Sequence, residues 1–80
     1  MAIIPNPNSG SFLLNISLAE SMNLSVEIAD VTGRLVYARE LGKVSGNISQ
    51  PMNASLSKGI YFLMLKANGK QAVQKLVIDN

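Results

Sequence analysis

The stretch KGIYFLMLKANGKQAVQKLVI, Lys58 to Ile78, decides the fold. Two apolar runs, Ile60–Ala67 and Ala72–Ile78, flank Asn68-Gly69. Asn-Gly is a favoured pair for a two-residue turn, because a type I′ turn needs positive φ at both central residues. The first run is apolar on both alternating sets: Ile60, Phe62 and Met64 on one, Tyr61, Leu63 and Leu65 on the other. Such a strand is buried on both faces or lies centrally in a sheet. In the second run Ala72, Leu76 and Ile78 share a face with Gln74, and Val73, Lys75 and Val77 share the other. These residues predict a β-hairpin closing an all-β domain.

Length and composition set the frame. Eighty residues predict one domain, 1–80. A chain this size buries only about 60% of its unfolded surface, which predicts modest stability. An apolar fraction of 48% is ample for a core and argues against disorder. Cysteine, histidine and tryptophan are absent, so disulfides, thiol chemistry and a soft-metal site are not expected. Seven basic residues against five acidic ones are scattered along the chain without a run, which argues against nucleic-acid binding. No apolar stretch approaches the ~20 residues of a membrane helix, so membrane insertion is not expected. Met1-Ala2-Ile3-Ile4 is too short for a signal-peptide core, and its direct entry into domain sequence predicts a piece of a longer protein.

Working back towards the N-terminus, short strands alternate with turn signals. Pro5 and Pro7 exclude a helix, Asn8-Ser9-Gly10 signals a turn, and the segment is expected along a sheet edge. Phe12, Leu14, Ile16 and Leu18 line one face of a strand over 11–18. Ala19–Asn23 reads as a polar connection, and Leu24, Val26 and Ile28 as a second strand. Asp30-Val31-Thr32-Gly33-Arg34 is a tight turn, with Asp30 capping backbone N–H groups and Gly33 supplying positive φ. A third strand over 35–41 completes a hairpin. Gly42, Gly46 and Asn47 break 42–50 into turns, Met52, Ala54 and Leu56 alternate as a short strand, and Ser57-Lys58-Gly59 turns into the last hairpin. No ten-residue window carries a helical period. The sum is an immunoglobulin-like antiparallel β-sandwich of six to seven short strands.

Three blocks carry a resemblance. Pro5-Asn6-Pro7-Asn8-Ser9-Gly10-Ser11-Phe12 matches P-N-P-x-x-G-x-F. Asp30-Val31-Thr32-Gly33-Arg34-Leu35-Val36 matches D-x-x-G-R-x-V. Leu56-Ser57-Lys58-Gly59-Ile60-Tyr61-Phe62-Leu63 matches L-x-x-G-I-Y-x-L, with the basic-apolar strand Lys75-Leu76-Val77-Ile78 beyond it. In this order the chain resembles the type A C-terminal sorting domain of the Bacteroidetes type IX secretion system. It departs at Ile4, where an aromatic is common, and over 43–53, where Pro51 leaves the strand pairing open.

The resemblance implies an address label, not a catalyst. Such a domain follows an N-terminal cargo, passes through the periplasm, and is read by the type IX translocon with its outer-membrane shuttle and sortase components. The cargo reaches the surface or the medium, and the label is commonly cleaved there. It implies recognition through Gly59, Tyr61 and the strand Lys75, Leu76, Val77 and Ile78. Tyr61 and Gly59 also have simpler roles, in packing and in a positive-φ turn. An edge strand is open to β-augmentation, and exposed edges leave pairing of two copies open. Asn15-Ile16-Ser17, Asn23-Leu24-Ser25, Asn47-Ile48-Ser49 and Asn53-Ala54-Ser55 fit the N-glycosylation pattern but read as by-products of Asn/Ser-rich turns. The competing reading is a carbohydrate-binding, adhesion or linker module, disfavoured by aromatics that sit mostly on apolar faces. No nucleophile–base pair or cofactor motif points to an enzyme.

Overall fold

The computed structural model describes residues 1–80 and consists of strands, turns and loops. The strands are β1 (Ala2–Ile4), β2 (Ser11–Asp30), β3 (Leu35–Asn53), β4 (Gly59–Ala67) and β5 (Lys70–Ile78). All five join one antiparallel sheet. Along one edge β2 pairs with β3 over almost its whole length. Along its other edge it pairs with β1 through Leu13–Asn15 and with β4 through Ser25–Asp30. β5 adds to the far side of β4.

The expected six to seven short strands are therefore five, two of them long, and they form one curled sheet where a sandwich was expected. Ala19–Asn23 is not a connection, and 42–50 is not a set of turns; both lie inside β2 and β3. Gly42 and Gly46 do take positive φ, at 75° and 74°. They spend it on irregularities in the ladder instead of reversals of the chain. Leu41 is the extra residue between the pairs Leu24↔Gly42 and Ser25↔Glu40, and the register shifts again between Leu18↔Gly46 and Met22↔Val44. Such bulges bend and twist a strand without ending it. The short strand expected at 52–56 is also corrected. Met52 belongs to the end of β3, whereas Ala54–Ser57 is loop, with Met52 and Ala54 buried.

The bend lets both halves of β2 feed one core. Phe12, Leu14 and Ile16 from the first half join Leu24, Val26 and Ile28 from the second, with Leu63, Leu76 and Ile78 from the last hairpin. A flat sheet would leave that face in water; the curl covers it. The closing hairpin has the expected form: β4 and β5 pair in unbroken register from Gly59↔Ile78 to Ala67↔Lys70, and Asn68 and Gly69 turn with φ of 49° and 78°. β4 is central, between β2 and β5, but only one of its faces is buried; Ile60 and Phe62 on the other are exposed.

Candidate recognition surface

The terminal strand β5 forms an edge of the sheet, and the Pro-Asn-Pro-Asn block lies along its outer side. The Val77 N–H donates to Asn6 Oδ1 at 3.0 Å, and Asn6 Nδ2 donates to the Lys75 carbonyl at 2.9 Å. Asn6 thus uses its side-chain amide as a strand would use its backbone. Asn8 does so with its backbone: its N–H donates to the Val77 carbonyl at 3.0 Å, and its carbonyl accepts from the Asp79 N–H at 2.8 Å. The Asn8 side chain is also fully bonded, donating to the Pro5 carbonyl and accepting from the Gly10 N–H, each at 2.8 Å. That accounts for a buried asparagine without a penalty. Gly10 fixes the exit from this clasp. Its φ is 110°, and a Cβ there would stand 2.3 Å from the Ala54 carbonyl oxygen.

The clasp also shows which way the β5 backbone points. In an antiparallel ladder alternate residues direct their N–H and C=O to opposite sides. Val77 points outward, so Lys75, Val73 and Gln71 do too, while Ile78, Leu76, Gln74, Ala72 and Lys70 pair inward with β4. Beyond the clasp, the N–H of Lys75 and both groups of Val73 and Gln71 face solvent.

The expected recognition residues divide by burial. Leu76 and Ile78 are core residues. Tyr61 is 8% exposed and donates its hydroxyl to the Ser57 carbonyl at 2.7 Å, tying the loop before β4 to the strand. Lys75 is exposed, and Val77 and Gly59 are half-buried. Gly59 does not take positive φ, correcting the expected turn role; it lies in β4 over the Tyr61 ring, whose Cε2 would be 3.7 Å from an added Cβ. On the outer face Val73 lies opposite Met64, Lys75 opposite Phe62 and Val77 opposite Ile60. Together with Leu35 and the neighbouring Ala29 they make an apolar surface that carries Lys75 and is bordered at Met64 by the Glu27–Lys66 ion pair.

Elsewhere the motifs prove architectural. Asp30 Oδ1 accepts from the Thr32 hydroxyl at 2.6 Å, the Thr32 N–H at 2.9 Å and the Arg34 N–H at 3.0 Å. The Thr32 hydroxyl foremost, then the Arg34 and Thr32 amides and the Arg34 charge, hold its carboxyl below the usual aspartate range. Gly33 supplies the expected positive φ, at 90°. The Asn-x-Ser motifs at 15–17 and 47–49 lie on strands, not in turns. Asn15 pairs with Ser49 and Ser17 with Asn47, and each serine hydroxyl donates to the opposite asparagine at 2.7 Å. Sequence reading missed this cross-strand ladder; the repeated Asn-x-Ser spacing was its signal.

The domain is thus a small β-module whose N-terminal block is laced to its last strand, and that strand forms an edge of the sheet. The profile of the secretion system C-terminal sorting domain family matches residues 2–79, and the chain belongs to that family. It is a sorting signal of type IX secretion, attached to an N-terminal cargo and serving export to the cell surface or the medium. No curated protein matches the chain closely enough to count as a relative.

Proposed function

We propose that the domain is read in its folded form, in the periplasm, by the outer-membrane shuttle and translocon components, and is then cut from its cargo by the sortase component at the surface. The reading surface is the outer face of the β4–β5 hairpin around Lys75. The observation that carries this is the pairing of exposed Lys75 with exposed Phe62 in an apolar setting, with Ile60 and Val73 beside them. Among the residues expected from resemblance, Lys75 and Val77 lie on this outer face, whereas Gly59 lies on the inner face over the Tyr61 ring. Tyr61, Leu76 and Ile78 support them from below.

The test fuses residues 1–80 behind a reporter with a signal peptide in a bacterium with an intact type IX system. Lys75→Glu and Phe62→Ser change only surface side chains. Each is expected to leave the domain folded and the reporter inside the cell. Export of both variants at the parent level, with normal melting, would overturn the proposal. The mass of the exported parent reporter reports cleavage.

A further inference from the structure

We propose that the export machinery adds a strand to β5 over a short window, Gln71 to Lys75. This rests on the proposed reading at the β4–β5 hairpin and specifies how contact is made. The sheet has open edges on β1, β3 and β5, and on β2 between Asn15 and Ser25, where the ladder to β3 shifts register at Leu18/Met22. β1 offers only Ala2–Ile4 before Pro5. β3 is interrupted by register shifts and carries Gly42, Gly46 and Pro51, features that blunt an edge against strand addition. Of the longer edges, that of β5 is in unbroken register over its whole length. Its outer edge is already occupied at Val77 by Asn6 and Asn8, and it ends in the Asn68-Gly69 turn. Between those limits both outward groups of Gln71 and Val73 and the N–H of Lys75 have no partner; the Lys75 carbonyl accepts from Asn6.

Charge selects the occupant. The chain's ion pairs are Arg34–Asp30, Lys58–Asp79 and Lys66–Glu27. Lys70 and Lys75, which bracket the window, are in none of them. Val73, between them, is 54% exposed. Residues directly opposite each other in a ladder share a face. The complementary partner is an extended segment of the machinery with an apolar side chain opposite Val73 and a carboxylate opposite Lys75. A second copy paired antiparallel about Val73 sets Lys75 opposite Gln71 and offers it no carboxylate.

Proline gives a backbone-specific test. The Val73 N–H points away from β4, so Val73→Pro removes it without breaking a bond in the sheet, and proline is tolerated at such edge positions. In the reporter fusion, Val73→Pro is expected to lower export about tenfold or more, the equivalent of losing one hydrogen bond plus a steric clash. Val73→Thr, which keeps the N–H, is expected to export clearly better than Val73→Pro. Should Val73→Pro melt early, Gln71→Pro removes the next outward N–H. Hydrogen exchange on the unmutated domain needs no variant: the Gln71, Val73 and Lys75 amides exchange fast alone and become protected with purified, detergent-solubilised type IX outer-membrane complex. Normal export of a folded proline variant, or no protection in the complex, overturns the proposal. If Lys75→Glu blocks export while Val73→Pro does not, side chains are read and the strand-addition mode alone fails. If Lys75→Glu, Phe62→Ser and Val73→Pro all export normally, the hairpin reading fails with it. Concentration-dependent self-association abolished by Val73→Pro, with export unchanged, would assign the edge to a second copy.

Discussion

Asp30 shows how one side chain can stand in for secondary structure. Its carboxylate gathers the amides of Thr32 and Arg34 and the Thr32 hydroxyl, while its own N–H and C=O close the turn against Arg34 and Gly33. Hydrogen bonds to the charged form hold its pKa down. The folded value lies below the unfolded one, so this contribution is present above the ordinary aspartate pKa of about 3.9 and is lost as pH falls through the folded value. Melting temperature should therefore drop with acidification below about pH 4. Asp30→Asn, which keeps one acceptor but cannot ionise, should melt lower at neutral pH and follow a flatter course in acid. Parallel melting curves for the two proteins across that range would remove Asp30 from the acid response. The role of Asp30 and Gly33 was legible because a turn cap is local: every partner lies within four residues. Gly59 was not legible in the same way. It reads as a turn glycine, yet it sits in a strand without positive φ, and the space around it does not require glycine.

At the scale of elements, the closing hairpin and its Asn68-Gly69 turn were readable, since both turn residues and both apolar runs are contiguous. The long β2–β3 ribbon was not. A bulge and a turn both call for a positive-φ glycine, so Gly42 and Gly46 look the same in sequence whether the chain reverses or bends. The edge position of Pro5–Gly10 followed from its prolines, but its partner strand did not, because Asn6 and Val77 are 71 residues apart. That clasp can be tested at one side chain. Asn6→Ala removes two exposed hydrogen bonds and should cost about 1 kcal/mol. The Val77 amide should exchange faster while the Leu76 amide, paired inward with β4, stays protected. Unchanged exchange at Val77 would mean that the block is not held through Asn6.

For the whole molecule, core and label cannot be separated. Removing residues after Gly69 takes Leu76 and Ile78 out of the core and uncovers Tyr61, which pairs with Leu76, and Leu63. Losing two such buried side chains costs about 2–5 kcal/mol each. At the usual stability per residue, a domain of this size has only about 4–12 kcal/mol in total. The truncated chain should show no cooperative melting by circular dichroism, and a cooperative transition would contradict this. Loss of export on truncation thus reports loss of fold as much as loss of a signal, which is why single surface substitutions are the better probe.

The meeting of Asn6 and Asn8 with Val77 also bears on biosynthesis. The first block of the domain leaves the ribosome some seventy residues before the strand it must hold, as the 71-residue separation of Asn6 and Val77 dictates. Until then Asn6 has nothing to bind and the Leu63 face has no cover. A cargo whose translation stops short of Val77 carries an unfinished label, because the clasp of Asn6 and Asn8 has no strand to hold.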